Sequence, residues 1–444
     1  MQRSLKSTLA ACLMVALTAS HAWAVSLLRD PDIEQSLKQL ATPVLNAAGL
    51  PAGRMSVLVV DDSSLNAFVI DREHIFIHAG LLLKLETAEQ LQSVIAHEAA
   101  HIANGHLARR PANARAAQSL AAFGLALAAA AGAAGGSEAG VAIGIGMQSA
   151  AQRSFFSHTR AEEASADQSA IRYLTRAGVD PAGSVEVMDI FAGQDLLSAG
   201  RQDPYARSHP LSRDRLRAMQ AATSAYQGQF ASNPTANYWF ARAKGKLGAF
   251  YRAPKWTLRR AGDSGHKDVT QMRKAIAWHR SGKGSDALKT MASLIAAAPN
   301  DPYLHELHGQ ILLEQRQYNA ALSAYSKAVT LAPRNALIVG QYGHALLVSG
   351  NPKAALPHLE RSANIEQRDA RVLRDLGGAY AQLGNAGMAS LLTAERYALL
   401  GRPKDATIHA KRAFDLLKRG SPGWQRAQDV LFASESAINS RRKK

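Results

Sequence analysis

The chain has 444 residues, of which 47% are apolar, and a formal net charge of +17. This length exceeds what one compact core normally holds, so we expect two or three domains, and the apolar content excludes a disordered protein. The charge is uneven, because residues 25–216 carry a net −4 and residues 217–444 a net +19. The basic part predicts an anionic partner such as a membrane surface, whereas no nucleic-acid-binding motif accompanies it, so we expect no nucleic acid.

Residues 1–24 have the composition of a signal peptide. Arg3 and Lys6 precede an apolar stretch, and Ala22-Trp23-Ala24 provides a cleavage site of the small-x-small type. The single cysteine, Cys12, lies inside this stretch, so the mature chain would have no disulfide and no thiolate metal ligand. We therefore expect an exported protein of the bacterial periplasm, at most peripheral to a membrane.

Residues 25–216 are predicted to form one α+β domain. A helix is expected over 30–50, and three segments have strand composition: Met55–Asp61, Ala67–Ile70 and His74–His78. Turn-forming residues separate these strands, so we expect a small antiparallel sheet of about three strands. A second helix is predicted from about Ala88 to His106, with Thr87 and Gln90 forming a capping box.

Two further segments have unusual composition. Residues 116–137 contain no charge and are dominated by alanine and glycine, so we interpret them as a packed helical hairpin or lid, with transient membrane contact as the alternative. Residues 217–267 contain nine lysines or arginines, one acidic residue and several aromatic residues. This basic connector is either a helix packed on its neighbours or a surface for an anionic partner.

Residues 268–440 repeat small residues every 34 positions. The recurring residues are Ala287, Ala321, Ala355 and Ala389, then Gly309, Gly343 and Gly377, and finally Pro299 and Pro333. Their order and spacing are typical of tetratricopeptide units, which we place at 268–301, 302–335, 336–369 and 370–403, followed by capping helices. The C-terminal part is therefore predicted to be an α-helical solenoid whose concave side binds polypeptide.

The sharpest chemical signal is His97-Glu98-Ala99-Ala100-His101. Residues four apart share one face of a helix, so both imidazoles can reach a single zinc ion. Glu98 lies beside that face and is placed to accept a proton from a water molecule activated by the metal.

A catalytic zinc ion needs a third protein ligand and an open fourth position. Glu163 is the best candidate, with Glu162 as the competitor, and Asp167 shares a helix face with Glu163. One of these acids can bind the metal while the other orients a ligand histidine through its second nitrogen. On the residues alone, Glu162 and Glu163 can also be solvated carboxylates at a helix start.

These motifs, together with Asn66-Ala67-Phe68 and Thr159-Arg160, resemble the metallopeptidase family of the CAAX prenyl protease and the heat-shock protease HtpX. The resemblance implies a zincin-like fold of the gluzincin type, in which the third zinc ligand is a glutamate. That ligand would be Glu163, and Asp167 would support a ligand histidine. Ser208-His209-Pro210-Leu211 also matches members of the family. His209 could then fill the fourth zinc position, stabilise the transition-state oxyanion, or serve only the structure. Ser165 and the turn at 71–74 depart from the family pattern.

Together these features predict a mostly α protein, with a zinc metallopeptidase domain followed by a tetratricopeptide solenoid. The expected activity is zinc-dependent endopeptidase cleavage of misfolded or stalled exported polypeptides, in periplasmic quality control or outer-membrane protein assembly. The alternative is a periplasmic chaperone or assembly scaffold in which proteolysis is rare or restrained.

Overall fold

The computed structural model describes residues 26–109, 159–193 and 201–442. The predicted signal peptide, 1–24, and the alanine- and glycine-rich segment, 116–137, lie outside these residues. The chain divides into two compact units, one spanning Ser26–Gln315 and the other beginning at Arg316. In the part of the chain that is described, no helix combines the length and the apolar character needed to cross a bilayer.

A four-stranded mixed sheet forms the β part of the first unit. Its strands are β1 (Leu27–Leu28), β2 (Ser56–Val60), β3 (Ala67–Val69) and β4 (His74–His78), in the order β1-β2-β4-β3. The prediction of an antiparallel sheet is wrong for one pair, because β2 and β4 run parallel. The short turn after β3 makes β3 and β4 a hairpin, which leaves only the other edge of β4 for β2. β1 was not predicted, since two residues show no periodicity.

Three helices pack beside the sheet. They are α1 (Pro31–Ala47), α2 (Ala79–Lys84) and α3 (Ala88–Ala103). As predicted, the Thr87 side chain caps α3 by accepting from the Gln90 backbone N–H, at 3.2 Å. α3 ends three residues earlier than predicted, because Gly105 adopts a left-handed conformation with φ 71° before residues 106–109 turn helical again.

The remaining helices of the first unit follow in chain order. They are α4 (159–176), α5 (Ala182–Ile190), α6 (Pro204–Ser208), α7 (Arg213–Ser224), α8 (Pro234–Tyr251), α9 (Pro254–Arg259), α10 (Lys267–Arg280), α11 (Gly284–Ala297) and α12 (Pro302–Glu314). One continuous apolar core includes residues of α1, the sheet, α3, α4 and α8. The connector helix α8 therefore packs on its neighbours. This is one of the two alternatives that the sequence left open for the basic connector.

The second unit consists of helices only in its described residues. They are α13 (Tyr318–Leu331), α14 (Ala336–Val348), α15 (Pro352–Ile365), α16 (Ala370–Gln382), α17 (Ala386–Leu399), α18 (Pro403–Leu416) and α19 (Pro422–Arg442). The repeated small residues have a steric reason, because a Cβ at Gly343 would lie 2.7 Å from Leu359 Cγ of the paired helix. Of the recurring alanines in this unit, Ala321 and Ala355 are fully buried, whereas Ala389 is half-buried. The prediction of an α-helical repeat array is confirmed.

Arg242, in the connector helix α8, is buried, so it does not form part of a surface for an anionic partner. Its Nε donates to Asp32 Oδ1 at 2.6 Å, and its Nη1 lies 2.8 Å from Asp301 Oδ2. Asp32 begins α1 and Asp301 caps α12, so one guanidinium joins three elements. Removing one partner of a buried ion pair is strongly destabilising, by about 3–5 kcal/mol, because it leaves a buried charge unpaired.

Lys246, one turn further along α8, is also fully buried. Its Nζ lies 3.0 Å from Asp30 Oδ2 and 3.5 Å from Glu306 Oε2. Burial raises the pKa of Glu306 from 4.5 to about 7, although the positive charge of Lys246 opposes the shift and the carboxylates of Asp30 and Asp32 add to it. Part of the positive charge of the connector thus stabilises the fold itself.

We expect Glu306→Gln to flatten the pH dependence of stability. The folded-state pKa of Glu306 lies above its unfolded value, so its stabilising contribution is complete below about pH 4.5 and is lost as the pH rises through about 7. Urea unfolding of both proteins between pH 5 and 8, followed by tryptophan fluorescence, measures the difference. The exposed Glu73→Gln is the control, and equal slopes for Glu306→Gln and wild type would contradict the assignment.

Candidate metal centre

Helix α3 presents His97 and His101 on one buried face. The side chains are 6% and 0% exposed, and their Nε2 atoms lie 3.1 Å apart. Glu98, between them in sequence, is also fully buried. The i, i+4 spacing therefore brings two ring nitrogens to one point, as the motif predicts.

Helix α4 supplies the acidic side of the site. Glu163 Oε2 lies 3.3 Å from His97 Nε2, and Glu163 Oε1 lies 3.4 Å from His101 Nε2. One turn later, Asp167 Oδ1 lies 3.1 Å from Nδ1 of His97, which is the nitrogen that faces away from Glu163. The cluster takes its carboxylate from Glu163 rather than from Glu162, and Asp167 has the position expected of a residue that orients a ligand.

His209 approaches from the end of α6 and joins the same cluster. Its Nδ1 lies 2.9 Å from Glu163 Oε2 and 3.2 Å from His97 Nε2, and its Nε2 lies 3.4 Å from Glu98 Oε1. The ring of Tyr205 lies 4.6 Å from the ring of His209, and the His209 backbone N–H donates to the Tyr205 carbonyl at 2.8 Å. This packing holds the His209 ring against His97, His101 and Glu163. We call these four residues the metal cluster.

The metal cluster fits a tetrahedral cation. One donor atom from each of its four residues lies within 4.8 Å of the other three, and the shorter separations are 2.9 to 3.4 Å. With bonds of about 2.0–2.2 Å, the ligands of a tetrahedral zinc ion lie roughly 3.3–3.6 Å apart. A proton on His97 Nδ1, shared with Asp167, leaves a lone pair on Nε2. Three imidazole nitrogens and a carboxylate oxygen that converge in this way are all satisfied by one cation.

The pKa values of His97 and Glu163 are shifted by the contacts just described. Burial alone would lower the pKa of His97, but hydrogen bonds with Asp167 and Glu163 outweigh it and raise the pKa from 6.5 to about 10. Burial would raise the pKa of Glu163, but His209 and His97 hold it well below its ordinary value. The cluster therefore favours positive charge at its centre, which a proton or a metal ion can supply.

Two contributors to the site were not predicted. Arg215 binds both oxygens of Asp167, with Nε 2.7 Å from Oδ2 and Nη2 2.9 Å from Oδ1, and its Nη1 donates to the Pro210 carbonyl at 2.8 Å. Arg215 therefore fixes the positions of Asp167, which contacts His97, and of the Pro210 backbone, next to His209. The signal available in the sequence was its closeness to the Ser208-His209-Pro210-Leu211 motif, since Arg215 follows Leu211 by four residues.

His106 is the second such residue. Its Nδ1 lies 2.9 Å from Nδ1 of His101, although its position in the sequence suggests a different helix face. The left-handed residue Gly105 turns the chain back, so the ring reaches the nitrogen of His101 that does not face the cluster. His106 is thus placed to determine which nitrogen of His101 carries the proton.

Comparison with known proteins agrees with this geometry. Residues 28–223 match the sequence model of Peptidase family M48. This part of the chain is therefore similar to that peptidase family. Residues 312–376 match the tetratricopeptide repeat, so the order of the two parts is as predicted. The M48 match includes all four residues of the metal cluster, together with Glu98, Asp167 and Arg215.

Several curated relatives are similar to this chain over part of its length. The beta-barrel assembly-enhancing protease of Escherichia coli (strain K12) is 25% identical over 308 residues, which are 68% of this chain and 62% of that protein. A putative beta-barrel assembly-enhancing protease of Vibrio cholerae is 26% identical over 43% of this chain and 39% of that protein. The mitochondrial metalloendopeptidase OMA1 of Danio rerio is 31% identical over 43% of this chain and 40% of that protein. The chain thus spans less than two thirds of the relatives that it matches.

We expect Asp167→Asn to weaken zinc binding by about 10- to 100-fold, because the amide no longer stabilises the proton on His97 Nδ1. Residual zinc can be measured against increasing chelator concentration. Asp189→Asn, an exposed acid on α5, is the matched control. Equal zinc affinity in the Asp167 variant and the control would contradict a role for Asp167 in orienting His97.

Proposed function

We propose that this chain is a zinc-dependent endopeptidase. The observation that carries the proposal is the buried convergence of His97, His101 and Glu163, with Glu98 on the adjacent side of α3. A catalytic zinc site has three fixed protein ligands and a fourth position that can open, and peptide hydrolysis also needs a base beside the metal. Glu98 meets that need, and the match to Peptidase family M48 supports the same activity.

The residues divide the chemical work as follows. His97, His101 and Glu163 would hold the ion, and Asp167 with Arg215 orients His97. When bound, zinc would supply a Lewis acid that polarises a carbonyl. Glu98 is the carboxylate that would accept a proton from the attacking water and return it to the departing amine. Glu98 is fully buried, and its Oε1 lies 3.4 Å from His209 Nε2, so its carboxylate is held beside the metal cluster and away from bulk water.

We further propose that the substrates are exported polypeptides in the periplasm, in quality control or outer-membrane protein assembly. The names of the E. coli and Vibrio relatives support an assembly role, and the composition of residues 1–24 supports export. The helical repeats would present polypeptide to the peptidase domain. An anionic membrane surface or the assembly machinery remains the proposed partner of the basic C-terminal part.

A second function, that of an assembly scaffold with restrained proteolysis, is favoured by one specific observation. His209 Nδ1 is as close to Glu163 and His97 as those residues are to each other. A neutral imidazole is a good zinc ligand, so His209 would occupy the position that water needs. The peptidase would then be silent until His209 moves away.

We expect Glu98→Gln to retain zinc and to lower peptide hydrolysis by at least about 10²–10⁴-fold, because the amide keeps the shape but cannot accept a proton. Metal content and cleavage of an unfolded protein such as casein are measured together. Glu89→Gln, two turns earlier on the same helix, is the control. Activity near that of wild type in Glu98→Gln would rule out Glu98 as the base.

The effect of His209→Ala distinguishes its two chemical roles. If His209 blocks the fourth position, the variant should retain zinc and show raised basal cleavage, including self-cleavage. If it stabilises the oxyanion, activity should fall by about 10²–10³-fold. His279→Ala, which lies outside the metal cluster, is the control. No change in either direction would assign His209 a structural role only.

A further inference from the structure

A cavity of about 600 Å³ lies in the first unit and shares no residue with the metal cluster. Its wall includes Thr87 and Ala88 at the beginning of α3, Lys244 and Gly248 of α8, and Trp256 of α9. The volume is in the range typical of small-molecule sites. The beginning of the 16-residue helix α3, where a helix has positive potential, forms part of this wall.

Arg273 of α10 gives the cavity an incompletely satisfied cation. Its side chain lines the cavity although the residue is only 7% exposed. Nη1 donates to the Ala261 carbonyl at 2.9 Å, whereas Nε is buried without a hydrogen-bond partner. An arginine has five N–H donors, so a buried guanidinium that uses so few of them is ready to bind an acceptor.

Lys244 lies close enough to both Arg252 and Arg273 for their positive charges to repel it. Burial lowers the pKa of Lys244, and the positive charges of Arg252 and Arg273 lower it further, while Glu86 opposes them. Burial also lowers the pKa of Arg273, with only Asp263 opposing it. The cavity therefore contains cations that gain stability from an added negative charge.

The acids of the cavity do not neutralise these cations fully. Asp263 lies 3.6 Å from Arg260, and both side chains are mostly exposed. Glu86 and Glu89 stand at the α3 side of the cavity, on exposed and half-exposed positions. The Arg252 guanidinium lies 4.5 Å from the centre of the Trp256 ring, which fixes its direction without using its N–H donors.

We propose that this cavity binds a phosphate-bearing anion, held by Lys244, Arg252 and Arg273 at the beginning of α3. A phosphate group has three acceptor oxygens and close to two negative charges, which suits three cations better than a single carboxylate does. The Trp256 and Phe240 rings offer an apolar surface to the remainder of such a molecule. The source of the phosphate is either a free phosphate compound or a phospholipid head group. This site does not depend on peptidase activity.

Calorimetric titration of the zinc-loaded full chain with inorganic phosphate, at constant ionic strength, tests the proposal. A parallel measurement uses vesicles of phosphatidylglycerol and phosphatidylcholine, with pure phosphatidylcholine as reference. The variants are Arg252→Ala, which is exposed and safe for folding, and Arg273→Gln. Arg259→Ala is the matched control, because Arg259 is an exposed arginine of the neighbouring helix α9 that does not line the cavity.

We expect saturable binding that Arg252→Ala and Arg273→Gln weaken by about 10- to 100-fold and that Arg259→Ala leaves unchanged. Such a pattern with phosphate supports a free ligand, and the same pattern with the anionic vesicles alone supports a lipid head group. If Arg273→Gln does not fold, the contrast between Arg252→Ala and Arg259→Ala decides. Absence of binding in both arms, or equal loss in the Arg252 and Arg259 variants, would overturn the proposal.

Discussion

Four buried side chains direct their electron-pair donor atoms to one point, and this arrangement determines much of the structure around them. Three imidazoles and one carboxylate cannot satisfy one another by hydrogen bonds alone, since each ring offers a lone pair to the same point. The protein holds them there through a second layer of contacts. Asp167 and His106 take up the outer nitrogens of His97 and His101, and Arg215 fixes Asp167 from behind.

A second buried set of charges performs a different task in the same unit. Arg242 and Lys246 on one face of α8 contact acids that belong to α1 and α12. Such pairs need good geometry to repay their desolvation, but they tolerate few alternative arrangements. The contacts therefore define how the connector helix sits between the peptidase domain and the first helical repeats of this unit.

Much of the site could be predicted from the sequence, because it depends on local spacing. His97 and His101 share a helix face by periodicity, and Glu163 and Asp167 repeat the same arrangement on another helix. The repeat array could be predicted equally well, since small residues recur at a constant interval. The parallel pairing of β2 with β4 could not, because composition carries no information on strand direction. The burial of Arg242 and Lys246 could not be predicted either. Charged side chains are expected to be exposed, and only the tertiary structure shows the acids that pair with these two.

The position of α8 in the core has a consequence for the size of the folding unit. The M48 match ends at residue 223, whereas α8 begins at Pro234. Yet Phe240, Ala243 and Leu247 belong to the same apolar core as α1 and the sheet. A fragment cut at the end of the sequence match would expose that core to water and leave Asp32 without its guanidinium. The apolar core that holds the metal cluster is therefore built from more of the chain than the sequence match covers, and α8, which the sequence presents as a linker, is part of it.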